Sequence, residues 1–327
     1  MRLGLHRTPL MLSLIVSVAF ATVAVTPPAS AADLVRAGKS SPGSFSFIPL
    51  DVGAQAGIFK KHGIDLQIIG FSGGTKMHQA LAADTIDVAF GSGPQMVLTA
   101  KGAPMMAVAE MAGPPINFAV IVPYDSPAKT LDDLKGKKIG VSGKTSLSSF
   151  MADEIALTKG WGPQGIELVV IGGMHSGIVS ALRTHQVDAG TFDLRVGLQL
   201  EKLKEGRVLA PCSDYIRNFV THVIYAQNNI IKNKPDVLKR FLASWFETIE
   251  YMKKNKETTV KVAAKITGAP EDLESREYDL LMPAFFSTTG HFKPEDVAVV
   301  GQSLKLMRSM TNLPDMSKLY TEQFLPK

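Results

Sequence analysis

"IPLDVGAQAGIFKKHGIDLQIIGFSGG", residues 48–74, is the stretch on which the fold class turns. A helix is predicted from about Ile48 to Lys61, stopping at Gly63. "IDLQIIG" (64–70) reads as a strand, and "FSGG" (71–74) is a turn into a helix over Thr75–Ala83. Outward from this stretch the same order recurs. Asp33–Ala37 reads as a strand that leads through "GKSSPGSF" (38–45) into the first helix. Downstream, "IDVAFG" (86–91) is a strand, "SGP" (92–94) a turn, a helix follows to Lys101, and "MMAVAEM" (105–111) is a strand again. Strand, short glycine turn and helix in repetition build βαβ units and a mostly parallel sheet.

A second set of units follows. Thr130 with Asp133 resembles a helix-start capping pair. The strand Lys138–Val141, the helix Ser146–Lys159, the strand "ELVVIGG" (167–173), the helix Gly177–Thr184 and the strand "VDAGTF" (187–192) come next. Two apolar extended runs, "NFAVIVPYDSP" (117–127) and "FVTHVIYAQ" (219–227), flank this set and predict two lobes joined by two crossovers. In the C-terminal third, Leu238, Phe241, Leu242, Trp245, Ile249 and Met252 fall three and four apart, an amphipathic stripe, and Pro235 suits its first turn. Further helices are predicted near 257–267, 271–285 and 294–310, packing as core on the first lobe.

"KKIGVSGKTSLSSF" (137–150) looks like a phosphate loop, but its spacing argues otherwise. A nucleotide loop needs a glycine five residues before the Gly-Lys-Thr glycine, and that position is Lys138. What remains is a strand, a glycine turn and a helix start, whose unpaired N–H donors can hold an anion or be capped by a nearby hydroxyl.

The first residues have the order of an export signal. Arg2 and Arg7 precede an uncharged apolar run from Leu10 to Val25, then come Pro27, Pro28 and Ala29-Ser30-Ala31. The apolar run is shorter than the roughly 20 residues of a spanning helix. Cleavage is expected near Ala31, leaving a soluble periplasmic chain, and it lowers the net charge from +5 to +3. That mild, scattered charge argues against nucleic acid as a partner. The single cysteine, Cys212, leaves no intrachain disulfide and excludes a cysteine-rich metal site. The histidines form no metal pattern, so no metal or cofactor is expected. "GTFDL" and "GKTSL" lack the elbow of a serine hydrolase.

Several motifs, in order, now carry a resemblance. The 48–74 stretch, "ALAADTIDVAFGSG" (80–93, with Asp84 where glycine is usual), "LDDLKGKKIGVS" (131–142) and "ALRTHQVDAG" (181–190) resemble the substrate-binding proteins of ABC importers of the nitrate/sulfonate/taurine and thiamine-pyrimidine-precursor type. The resemblance covers essentially the whole chain after the leader. It implies an α/β, two-lobed type II periplasmic binding fold with two interlobe crossovers. Residues 32–121 and 225–327 would form lobe 1 and 122–224 lobe 2, with the ligand between them.

In open α/β sheets, ligands sit beyond the C-terminal strand ends, where turns lead into helix starts. On lobe 1 those turns offer Ser41 and Ser44; Phe71, Ser72 and Gly73; and Gly91 and Ser92. On lobe 2 they offer Ser142, Lys144, Thr145 and Ser146. Glycine lets backbone N–H groups approach a ligand, and each turn adds a hydroxyl donor. Arg195 follows a strand end and could fork onto a sulfonate, carboxylate or phosphate, or pair with Asp193 or Glu201. Glu110 lies near a strand end and would favour a cationic or donor-bearing ligand if it faces the cleft.

The expected function is a non-enzymatic receptor. It would capture a small organic anion such as a sulfonate, carboxylate or nitrate, close about a hinge, and dock on an importer permease with its ATPase. The alternatives are a binder of a pyrimidine or thiamine precursor and an enzyme on the same fold. A single cysteine and the export signal weigh against the enzyme.

Overall fold

The computed structural model describes the chain except residues 2–30, 145, 163, 173–174 and 307–309. The chain divides into two units, Met1–Ala31 and Ala32–Lys327, and the architecture below is that of the second.

Strand β1 (Asp33–Lys39) leads through a 3-10 turn into α1 (Ile48–Gln55) and the short α2 (Ile58–Lys61). The predicted continuous helix over 48–61 is thus two pieces, because Gly57 adopts φ of 72° between them. Next come β2 (Ile64–Gly70), α3 (Gly74–Ala82), β3 (Val88–Ser92), α4 (Met96–Ala100) and β4 (Met105–Ala112). The chain then crosses to β5 (Phe118–Pro123), β6 (Lys138–Val141), α5 (Leu147–Thr158), β7 (Glu167–Val170), α6 (His175–Arg183), β8 (Ala189–Asp193), α7 (Leu194–Leu203) and β9 (Gly206–Pro211). It returns through β10 (His222–Gln227) and α8 (Asn228–Asn233). The helices α9 (Pro235–Lys254), α10 (Lys256–Thr267), α11 (Glu271–Leu281) and α12 (Pro294–Leu306) finish the chain.

Two five-stranded sheets result, in the orders β2-β1-β3-β10-β4 and β7-β6-β8-β5-β9. They share one plan. In each, the fourth strand arrives from the other half of the chain and runs antiparallel to its neighbours: β10 between β3 and β4, β5 between β8 and β9. The remaining strands of each sheet are mutually parallel, so their C-terminal ends and the turns after them line one edge. Exchange of one strand each way creates the two crossovers, residues 113–117 and 212–221.

The predicted stripe on α9 is buried along its whole length, and Trp245 packs on Phe90 of β3 at 4.8 Å between ring centroids. This helix anchors the C-terminal third to the first sheet. One apolar cluster spans the halves. Leu147, Phe150 and Met151 of α5 pack with Phe219 and Val220 of the second crossover and with Val297 and Val300 of α12. Phe150 stacks on Phe219 at 4.7 Å. Burying such a ring contributes about 2–3 kcal/mol, so α5 is held against the crossover as well as against its own sheet.

Candidate functional site

The turns at the parallel strand ends behave in two ways. Those after β3 and β6 close on themselves. Ser92 and Gln95 form a capping box, with the Ser92 N–H donating to Gln95 Oε1 at 2.8 Å. After β6, Ser146 caps α5 by accepting from the Ser149 N–H at 3.2 Å and donates its hydroxyl to the Gly143 carbonyl at 2.7 Å. Ser148 Oγ accepts from the Ser142 N–H at 2.9 Å. Lys144 is exposed, and Thr145 lies outside the described residues.

The turns after β1 and β8 instead reach each other. Ser44 Oγ, from the β1 turn, donates to Asp193 Oδ2 at 2.9 Å, and Arg195 Nη2, from the start of α7, donates to the Gly43 carbonyl at 2.7 Å. Asp193 also caps α7, accepting from the Arg195 N–H at 3.1 Å. Arg195 Nε sits 3.9 Å from Glu277 Oε2 of α11, too long for a hydrogen bond. Glu274 joins this group, with its Oε1 accepting from Thr267 Oγ1 at 2.6 Å. One guanidinium therefore faces three carboxylates: Asp193, Glu274 and Glu277. Glu277 is completely buried, and its carboxyl is pushed well above the usual range, first by burial and then by Asp193 and Glu274.

A second polar chain ties the crossovers to this seam. Asn117, on the first crossover, donates from Nδ2 to Ser46 Oγ at 3.0 Å and to His222 Nε2 at 3.2 Å, where the second crossover enters β10. His222 Nδ1 lies 3.3 Å from the Gly91 carbonyl and donates to it. That tautomer leaves Nε2 as the acceptor for Asn117. Ser46 Oγ is 3.3 Å from Ser44 Oγ, which closes the link to Asp193. Burial pushes His222 down to about 4, so the ring is neutral at neutral pH.

Of the predicted contact residues, the structure brings Ser44, Gly91 and Arg195 into this connected network. Ser142 and Ser146 sit at the neighbouring α5 start. Ser41, Ser72 and Gly73 are exposed, and the half-buried Phe71 packs against the side of β1 at Gly38. Glu110 is buried on β4, where its carboxyl is pushed up to about 7 by burial and by Asp296 and is served by Lys293 of the C-terminal segment, not by the second sheet. Of the two partners considered for the Arg195 side chain, Asp193 accepts from its backbone N–H instead, at 3.1 Å, and Glu201 approaches Arg276 at 3.5 Å. Sequence reasoning missed Ser46, Asn117, His222, Glu274 and Glu277. For the last two a signal existed. They occupy the buried stripe of α11 together with Leu273, Tyr278 and Leu281, where packing alone would place apolar side chains.

Comparison with known proteins places this geometry in a family. A family model described as "NMT1/THI5 like" matches residues 44–259. The chain belongs to the NMT1/THI5-like family. A Brucella abortus protein described as a binding protein is 30% identical over 217 residues, which cover 65% of this chain and 66% of that relative. Among solved structures, the periplasmic aliphatic sulphonate binding protein SsuA from Escherichia coli superposes with a TM-score of 0.74 at 20% identity, covering 89% of this chain and 92% of that one. The desulfurization enzyme DSZB superposes with a TM-score of 0.64 at 14% identity, covering 89% of this chain and 97% of that one. These likenesses establish the two-lobed periplasmic-binding-protein fold. Among the described residues, no helix is long and apolar enough to cross a membrane.

Proposed function

We propose that this chain is an exported solute receptor of an ABC importer. It captures a small organic solute where the two sheets' strand ends meet, closes about the two crossovers, and presents the closed form to a permease with its ATPase. The supporting observation is the pair of hydrogen bonds Ser44–Asp193 and Arg195–Gly43, which join turns of opposite sheets across a seam spanned by two short connections. Such contacts form and break as halves rotate, which is what a hinge-closing receptor requires. The moving bodies in this reading follow the expected lobes, 32–121 with 225–327 and 122–224, but with the bounds drawn at the crossovers 113–117 and 212–221, because β5 pairs wholly in the second sheet and β10 wholly in the first. In this reading the chain is exported and cleaved near Ala31.

The start of α5 is the place for an acidic group of the solute. Ser142 and Ser146 are held in the local cap, and the helix N-terminus behind them is a favourable setting for a sulfonate, carboxylate or nitrate. The E. coli neighbour's description as a sulphonate binder agrees with this choice. Catalysis is the weaker reading. DSZB shows that the fold can carry an enzyme. Here, however, the one cysteine, Cys212, is buried and its thiol is pushed up to about 12, so it is not a nucleophile at neutral pH.

Mass spectrometry of small molecules released by denaturing the purified protein, followed by X-ray scattering with and without the solute found, tests this reading. A stoichiometric organic solute that reduces the radius of gyration supports it. A protein that releases none, and whose scattering no small solute changes, overturns it.

A further inference from the structure

We infer that α11 is a latch: it travels with the first half of the molecule, clasps α7 of the second, and holds the halves together before any solute arrives. This assignment rests on the receptor reading above. One face of α11 is fastened to the first half by buried contacts. Tyr278 Oη donates to the Met252 carbonyl of α9 at 2.7 Å, and its ring meets Phe45 edge-on at 6.5 Å between centroids. Leu281 is 0% exposed, in the same apolar cluster as Phe241 and Trp245. Lys256 of α10 adds an ion pair to Asp279 at 2.7 Å.

Another face of the same helix meets the second half and is built differently. Leu273, buried, joins the apolar cluster of Ile121, Leu194 and Leu198. Around it stand ion pairs at the surface. Lys202 Nζ donates to Asp272 Oδ2 at 2.6 Å, and Arg276 approaches Glu201 at 3.5 Å. Lys202 and Asp272 are 52% and 67% exposed, so water reaches this pair readily. A single buried leucine inside a wet, charged rim has the make of a contact that parts and re-forms. When the halves separate, α11 keeps its buried anchors and releases α7.

α7 is thereby gripped at both ends. At its start Arg195 reaches the Gly43 carbonyl; two turns and about 10 Å later, Lys202 reaches Asp272. Seam and latch act on one rigid element, so turning the second half away breaks both. A contact made only in the closed form shifts the equilibrium toward that form. The latch therefore raises the closed fraction of the empty receptor. The solute has to supply less of the closing free energy and binds tighter by the same factor.

Reversing the exposed pair tests the latch, by X-ray scattering of the purified protein dialysed free of solute. On a radius of gyration of about 19 Å for a chain of this size, Lys202→Glu and Asp272→Lys should each add about 1 Å. Lys202→Glu combined with Asp272→Lys should return the radius to the wild-type value. Both positions are exposed, so the urea unfolding midpoint should change little. Leu273→Asp should expand the protein at least as much as either single reversal. If that variant fails to fold, the surface reversal still decides. Single variants as compact as the wild type, or a double variant as expanded as the singles, overturn the latch. A lowered midpoint with an unchanged radius is the mark of a merely structural contact and overturns it too. The test needs no solute, so its failure leaves the receptor reading standing, and that reading falls separately if no solute co-purifies and none changes the scattering.

Discussion

The two sheets follow one plan, yet their turns do opposite things. By position in the sheet order, the turn after β1 corresponds to the one after β6, and the turn after β3 to the one after β8. Within each pair, one member reaches across and the other closes on itself. The β1 turn donates Ser44 to Asp193, whereas the β6 turn spends Ser142, Ser146 and Ser148 on its own helix start. The β8 turn sends Arg195 to Gly43, whereas the β3 turn is a capping box of Ser92 and Gln95. Two similar βα turns can therefore serve closure or local folding, according to which residue faces the other half.

Substitutions can break or sharpen that contrast. The largest effect is expected within the self-closing turns. A Cβ on Gly93 would lie 2.1 Å from the Val220 carbonyl oxygen, a backbone atom of the second crossover, whereas a Cβ on Gly143 meets nothing closer than Ser146 at 3.9 Å. Gly93→Ala should cost about 3 kcal/mol in urea unfolding and Gly143→Ala less than about 0.5; similar costs would show the two turns to be equally confined. Arg195→Ala removes the one guanidinium from a group of three carboxylates, and a loss of about 3 kcal/mol is expected. An unchanged unfolding midpoint would mean that Arg195 does not hold the seam.

The third test concerns the crossovers. The unfolded pKa of His222 is near 6.5 and the folded one about 4. The unfolded chain therefore takes up the proton first on acidification. Stability from the neutral ring is complete above pH 6.5 and is lost as pH falls toward 4. Between pH 7 and 4.5, His222→Gln should lose about 2 kcal/mol less stability than the wild type. Equal losses would remove His222 from the crossover network. The smallest effects separate the turns most cleanly. Ser44→Ala and Ser146→Ala should each cost about 1 kcal/mol, but only Ser44→Ala should enlarge the ligand-free radius of gyration. Expansion by Ser146→Ala, or none by Ser44→Ala, would erase the contrast.

Much of the fold was legible because glycine turns, apolar runs and the α9 stripe are local signals. β6, the Ser146 cap of α5 and the Thr130–Asp133 capping box fall where the spacing places them. α7 and β9 escaped the reading for physical reasons. Leu194, Val196, Leu198 and Leu200 alternate every second residue, as in a strand, although they lie on a helix. β9 is a short edge strand whose one partner, β5, comes from far earlier in the chain. In the site, serine and glycine marked the right strand ends but not their direction. Ser44 and Ser146 look alike in sequence, and only the position of the opposite half makes the first a bridge and the second a cap.

The order of residues by itself determined the alternating units, the two extended runs that exchange between sheets, and the helical C-terminal third, because each depends on periodicity and turn chemistry within a few residues. Only the tertiary structure decided that Glu274 and Glu277 of α11 would be buried beside Asp193, and that Asn117 would meet His222. The physical reason is sequence distance. These groups lie far apart along the chain, and their charge and unpaired acceptors acquire meaning only when folding removes water from the place where they meet.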